Sequence, residues 1–69
     1  MKIYRITPYG VRVARSIRAP DSLKWRIIRF MDKTYQSTDE QISESCAMSI
    51  GEVHSIAGQL KQGRIIEEV

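Results

Sequence analysis

The sequence has too few cysteine and histidine residues, and too short apolar runs, to support several classes of protein. Its one cysteine, Cys46, has no partner for an internal disulfide, and one histidine cannot complete a zinc site with it. No apolar run approaches the roughly 18 residues of a membrane span. Lys2 and Arg5 interrupt the N-terminus, where a secretion signal would be apolar. We therefore expect a cytoplasmic protein held together by packing, without cofactor or metal.

Patterns typical of catalysis are also missing. No glycine-rich phosphate loop is present, and Asp39 and Glu40 suit the first turn of a helix, where acidic side chains complement the helix dipole. Cys46 and His54 fall on different predicted helices, so Cys46 is interpreted as a buried structural thiol. We expect that the protein is not an enzyme.

Charge is distributed unevenly over the 69 residues, a length that predicts one small domain. Residues 1–33 carry nine Lys and Arg against two carboxylates, a net charge of +7, whereas residues 34–69 carry two against six, a net charge of −4. The basic half favours polyanionic partners.

Two capping boxes stand eleven residues apart in the acidic half: Thr38 with Gln41, and Ser49 with Glu52. In each box a hydroxyl accepts the backbone N–H three residues on, and the Gln or Glu reaches back to the cap residue. This spacing leaves room for one short helix and a tight turn, which predicts a helix-turn-helix at about 38–62.

The first of these two helices is expected over about 39–46, and the second over about 50–62. Ala47 and Met48 form the turn between them. Val53, Ile56, Ala57 and Leu60 recur at the spacing of one helix face and are expected in the core. Gly63 is predicted as the left-handed residue that ends the second helix.

The remaining elements are predicted from periodicity, caps and prolines. Gly10 is expected to weaken the first turn of the first helix, and Tyr35–Ser37 is too short to assign beyond an extended edge. The predicted elements are a strand over Lys2–Ile6, a helix from Pro8 to about Arg18 that uses Ile17 and ends at Ala19-Pro20, a helix from the Ser22 cap to about Lys33, and a strand over Arg64–Val69. The predicted fold is mainly α with a small antiparallel β pair, in the order β-α-α-α-α-β.

From Trp25 to Ile66 the pattern resembles the winged helix-turn-helix superfamily, in which a recognition helix ends in Leu-x-x-Gly-x-Ile. Here that segment reads Leu60-Lys61-Gln62-Gly63-Arg64-Ile65. The family continues through a loop, the wing, into a second antiparallel strand, which is missing after Val69. The N-terminal segment Tyr4–Gly10 resembles that strand and the helix after it. We therefore expect a permuted arrangement in which the N- and C-terminal strands pair, within one chain or by a domain swap.

The resemblance implies that the helix at 50–62 enters the major groove of DNA. The outward positions would be Gly51, Glu52, His54, Ser55, Gly58, Gln59 and Gln62. Candidate contacts are Gln59 toward adenine, Ser55 and His54 toward a base or phosphate, and Lys61 and Arg64 toward phosphates, with Gln62 as a further DNA-binding candidate. The alternative is that this face is solvated and only weakly cationic.

A stripe of arginines, Arg12, Arg15 and Arg18, lies at i, i+3 and i+6 on the first helix. With Arg5, Arg26 and Arg29 it forms a candidate phosphate-binding patch, the alternative being solubility and local ion pairs. Trp25 and Phe30 are interpreted as core residues, whereas Tyr4 and Tyr9 stay ambiguous between core and base stacking.

Two functions follow as expectations. The first is a DNA-binding transcriptional regulator that acts as a homodimer, since one domain of this size would bury a small interface. The second is a winged-helix module that binds a protein partner, because fold does not dictate DNA binding and the wing is absent. RNA binding has the arginine-rich first helix as its only support.

Overall fold

The computed structural model describes residues 1–16 and 22–69. Within these ranges the fold is mainly helical, with a small antiparallel sheet. The elements are β1 (Ile3–Ile6), α1 (Pro8–Ser16), α2 (Leu23–Thr34), β2 (Gln36–Thr38), α3 (Asp39–Cys46), α4 (Ile50–Gln62) and β3 (Ile66–Glu68). None of the helices in this part of the chain is long and apolar enough to cross a membrane.

The sheet has the strand order β2-β1-β3, and both pairings are antiparallel. On one side of β1, Arg5 lies opposite Glu67 and Ile6 opposite Ile66. The predicted antiparallel pairing of the two terminal strands is thus confirmed.

The predicted two-stranded sheet and the order β-α-α-α-α-β are wrong, because β2 adds a third strand and makes the order β-α-α-β-α-α-β. β2 covers only Gln36–Thr38, a stretch too short for a period and without large apolar residues. Its extended form depends on β1, where Ile3 pairs with Thr38 and Tyr4 with the buried Ser37. This pairing is long-range, so the local sequence gives no signal for it.

The bounds predicted for α3 and α4 are confirmed residue for residue, whereas α2 continues one residue beyond Lys33. Strand β3 begins at Ile66 and not at Arg64, because Arg64 and Ile65 form the turn that closes the C-terminus of α4. The predicted end of α1 at Ala19-Pro20, with Ile17 and Arg18, lies outside the described residues.

The core is built around α2, which packs against α1, α3, α4 and the sheet. Its buried side chains Trp25, Ile27, Ile28 and Met31 meet Tyr4 and Ile6 from β1. The helices α3 and α4 and the strand β3 contribute Ile42, Cys46, Val53, Ala57, Leu60 and Ile66. Ile56 is only partly buried. Trp25 is therefore confirmed as a core residue, Phe30 packs partly against the core, and Tyr4 is buried whereas Tyr9 is half exposed.

Gly10 lies where α1 crosses the chain between α4 and β3. A Cβ atom there would overlap the carbonyl oxygen of Ile65 and lie 2.8 Å from Cγ1 of Ile6. Thr7 fixes the same contact, because its hydroxyl accepts the Gly10 N–H at 2.9 Å and lies 2.7 Å from the Arg64 carbonyl oxygen, to which it donates. Gly10 therefore permits the close packing of α1, which helix propensity alone does not indicate.

The C-terminus of α4 differs from the prediction by one residue. Gly63 has ordinary helical backbone angles, and Arg64 takes the left-handed conformation, with φ at 61°. The Arg64 N–H bonds to the Lys61 carbonyl and the Ile65 N–H to the Leu60 carbonyl, which is the Schellman pattern. The predicted left-handed glycine is thus an arginine: α4 ends at Gln62 as predicted, but Gly63 is its C-cap, and the left-handed position falls on Arg64.

We expect the Arg64→Gly variant to be more stable than the wild type by about 1 kcal/mol, because glycine removes the steric cost of a left-handed residue. Ala47, also left-handed with φ at 55°, offers a control without a change of charge. Ala47→Gly should stabilise by a similar amount. Urea denaturation followed by circular dichroism measures both, and a less stable Arg64→Gly would show that the arginine side chain contributes more than its backbone costs.

Candidate nucleic-acid interface

The start of α4 is fixed against the end of α3 by hydrogen bonds that close the turn between them. The Ser43 hydroxyl donates to the Met48 carbonyl at 2.6 Å, and the Met48 N–H donates to the Ser43 carbonyl at 3.1 Å. Ala47 supplies the left-handed residue that ends α3. These bonds therefore fix the orientation of α4 relative to α3.

Both predicted capping boxes are confirmed. Thr38 Oγ1 accepts the Gln41 N–H at 3.1 Å, and Gln41 Oε1 accepts the Thr38 N–H at 2.9 Å. Ser49 Oγ and Glu52 Oε1 make the corresponding bonds, each at 3.1 Å. Glu52 is thus held on its own helix terminus, where a carboxylate is favourable.

One face of α4 is polar and uncharged. Val53, Ala57 and Leu60 are buried on the inner face, whereas Ser55, Gln59 and Gln62 are exposed at i, i+4 and i+7 on the outer one. Gly51 lies one turn before Ser55 and Gly58 lies between Ser55 and Gln59, and a Cβ at Gly58 would meet no atom within 4 Å. Another molecule can therefore approach the α4 backbone closely at this face.

His54 is engaged within the protein. Its Nε2 lies 2.8 Å from Oδ2 of Asp39, and Asp39 is buried although it stands at the first position of α3. The other Asp39 oxygen accepts the Glu40 N–H at 2.8 Å. The hydrogen bond from His54 holds the pKa of the Asp39 carboxyl below its usual value. His54 therefore has a structural role that competes with the predicted DNA contact.

This pair predicts a loss of stability in acid. The lowered pKa of Asp39 in the folded state means that its carboxylate stabilises the fold above the unfolded value of about 3.9. That contribution is lost as the pH falls below 3.9 through the folded pKa. Between about pH 5 and pH 2, the unfolding free energy of Asp39→Asn should therefore fall less than that of the wild type.

His54→Gln serves as the second variant for this measurement, since it removes the imidazole and leaves the Asp39 carboxyl in place. Denaturant titrations at a series of pH values give the free energies. Equal acid-side slopes for the wild type and both variants would contradict the assignment of the pair as a stabilising contact.

The cations at the end of α4 are only partly free for an anionic ligand. Lys61 Nζ lies 3.0 Å from Oε1 of Glu68, and this bond holds the pKa of the Glu68 carboxyl below its usual value. Arg64 is exposed. Its carbonyl oxygen accepts a hydrogen bond from the Thr7 hydroxyl, which places Arg64 beside the start of α1. The predicted phosphate ligands Lys61 and Arg64 thus stand together, with the charge of Lys61 compensated.

The basic residues of α1 face solvent. Arg12 and Arg15 are both exposed, whereas Arg18 lies outside the described residues. Arg5, a member of the predicted patch, donates from Nε and Nη2 to the Glu67 carboxylate at 2.8 and 2.6 Å. Arg12, Arg15, Arg26 and Arg29 of the predicted patch are thus exposed. Arg5 is instead held in an ion pair with a residue 62 positions away, which the local sequence does not indicate.

Cys46 is a buried thiol, in agreement with its interpretation. Burial raises the pKa of this thiol, so the reactive thiolate is disfavoured. Its Sγ lies 3.6 Å from the Arg26 carbonyl oxygen, which joins α3 to α2.

Comparison of this chain with protein-family models, curated proteins and solved structures finds no match.

Proposed function

We propose that this chain is a small cytoplasmic DNA-binding protein, of the kind that regulates transcription, and that it belongs with the winged helix-turn-helix proteins. In this proposal α4 enters the major groove of double-stranded DNA. The supporting observation is the exposed polar stripe of Ser55, Gln59 and Gln62 on a helix fixed by a capping box and a tight turn. Amide side chains at such positions suit hydrogen bonds to adenine.

The sheet supports the winged-helix part of the proposal. β1 lies antiparallel beside β3, where the family resemblance calls for a second wing strand. The chain would then be a permuted member of the family, in which β1 takes the place of the second wing strand.

Arg12, Arg15 and Arg64 are the proposed phosphate contacts. All three are exposed, and the packing of Gly10 against Ile65 brings α1 to the end of α4. Phosphate contacts supply affinity and orientation without reading sequence. Three such contacts give weak binding, so we propose that a homodimer supplies the affinity and doubles the number of bases read.

The alternative function is a protein-interaction module with weak or no DNA binding. One observation favours it: Lys61 and Arg5 are compensated by Glu68 and Glu67, and His54 is bound to Asp39, so the surface near α4 has little free positive charge.

The test is a fluorescence-anisotropy titration of random duplex DNA at two salt concentrations, with light scattering for the oligomeric state. We expect micromolar binding that weakens steeply with salt. Arg12→Ala/Arg15→Ala should lower the slope of log K against log salt by about 2 per chain. Gln59→Ala should leave random DNA unaffected and cost about 1–3 kcal/mol of preference for a selected site.

A matched control for charge is Arg26→Ala/Arg29→Ala, which also removes two arginines, from α2. Equal loss of duplex affinity in both double variants would contradict the assignment of phosphate contact to α1. If the wild type binds no duplex even at low salt, the DNA-binding proposal fails and the interaction function takes its place.

A further inference from the structure

We infer that the groove between α2 and the C-terminal end of α3 binds an acidic peptide segment that carries an apolar anchor side chain. This site is separate from the polar stripe of α4, and the inference does not rest on DNA binding. It is called here the α2 groove. The α2 groove encloses about 350 Å³ and is lined by Trp25, Arg26, Arg29, Phe30, Lys33, Ser45, Cys46 and Ala47.

The lining of the α2 groove is cationic and contains no carboxylate. Arg26, Arg29 and Lys33 are exposed, and none of the ion pairs among residues 1–16 and 22–69 involves them. They stand at i, i+3 and i+7 and so form one stripe about 10 Å long on α2. Carboxylates at the same spacing on a helical peptide would face this stripe.

The floor of the groove is apolar, which distinguishes a peptide from a nucleic acid. Phe30 is partly buried against the core, and Trp25 and Cys46 lie beneath the cationic stripe. A Leu or Phe side chain can cover this floor, whereas a phosphodiester backbone has no apolar group to do so. Trp25 is only 8% exposed, so its ring presents no free face on which a nucleobase could stack.

The complementary partner is therefore an amphipathic helix that lies along α2, with acidic residues facing the cationic stripe and an apolar side chain facing the floor. The three cations fix its charge and orientation, and the floor takes one apolar side chain. Such interfaces depend on a buried anchor surrounded by charged pairs at the rim.

The experiment uses the complete chain and a dye-labelled peptide of about twelve residues, with Leu at i, i+3, i+4 and i+7 and Glu at most other positions. The control peptide has the same charge, with Ser in place of Leu. Trp25 is the only tryptophan, so its emission reports on the groove when neither peptide contains Trp. Anisotropy gives the affinity.

The test variants are Arg26→Ala/Arg29→Ala and, as the matched control, Arg12→Ala/Arg15→Ala. Each lowers the net charge from +3 by two, and circular dichroism checks that both are folded. We expect the leucine peptide to shift Trp25 emission and to lose about tenfold in affinity with the α2 variant. The α1 variant should lose less than about twofold, and the serine peptide should bind at least about tenfold more weakly than the leucine peptide.

Four results would overturn the inference. Equal loss in both double variants, or equal binding of both peptides, would show general attraction by net charge and no groove. Competition by duplex DNA that depends on Arg26 and Arg29 but not on Arg12 and Arg15 would make the groove a nucleic-acid site. A change of oligomeric state in the α2 variant alone would make a second copy the occupant. The DNA titration of the wild type is a separate measurement, so DNA binding and peptide binding can each be disproved without the other.

Discussion

Replacing Gly10 with alanine is expected to destabilise the protein by about 3 kcal/mol, although alanine is the better helix former. The added methyl would overlap the Ile65 carbonyl oxygen and press on Cγ1 of Ile6. The carbonyl belongs to the backbone between α4 and β3, so relief requires α1 or that segment to move. Because Thr7 bonds both α1 and the Arg64 carbonyl, such a movement also strains these hydrogen bonds.

Gly58→Ala is the matched control for this prediction. Gly58 is also inside a helix, but a Cβ there would meet no atom within 4 Å. The same substitution should therefore stabilise α4 by roughly 0.5–1 kcal/mol, in keeping with helix propensity. Urea denaturation should show changes in unfolding free energy of opposite sign for the two variants, a decrease for Gly10→Ala and an increase for Gly58→Ala. A Gly10→Ala protein as stable as the wild type would show that α1 does not pack closely on Ile65.

Gly10 illustrates what could and could not be predicted from the sequence. Local signals gave the bounds of α3 and α4, because a capping box joins residues only three positions apart and is complete within the segment it starts. A glycine inside a helix carries no such information. Its sequence context predicts a weak turn, and only the position of Ile65, 55 residues away, explains its presence.

The sequence predicted an extended edge at Tyr35–Ser37, but the pairing of this edge in the sheet and the ion pairs were missed for the same reason. Gln36–Thr38 has little strand propensity and is extended through its pairing with β1. Sequence reasoning assigned Asp39 to a helix terminus and His54 to DNA. The contact between them depends on how α3 packs against α4. A helix can be predicted from its own residues, but the partners of its outward side chains depend on the tertiary arrangement.

The C-terminal end of α4 shows how a candidate site changes when a prediction from sequence is wrong by one residue. Gly63 and Arg64 are adjacent, and α4 ends at Gln62 as predicted, but the left-handed residue is Arg64 and not Gly63. Arg64 then occupies a strained left-handed position beside α1 and does not begin the strand. Strain of this kind is a reason to suspect a functional side chain. The Arg64→Gly variant therefore tests stability and duplex affinity together, with Ala47→Gly as the control for both.

The second large effect is expected for Ile42→Ala, which should cost about 3–4 kcal/mol. Ile42 is 0% exposed, and α3 otherwise buries only Asp39 and Cys46. A helix of eight residues is not stable alone in water, so α3 depends on this one anchor to pack against its neighbours. A protein of 69 residues has a total stability of roughly 3–10 kcal/mol, of which this loss is a large part.

Ile50→Ala is the matched control, since Ile50 is 38% exposed at the first position of α4. It should change the unfolding free energy by less than about 0.5 kcal/mol.

If Ile42→Ala loses amide-exchange protection first over residues 40–46, then α3 is a locally unfolding unit held by Ile42. Equal loss of protection across all four helices would mean that the domain unfolds as one unit, because the same side chain then supports α2, α3 and α4 together. In either case α4 loses the neighbour that fixes its start, so duplex binding should fall in Ile42→Ala and persist in Ile50→Ala if the proposed function is correct.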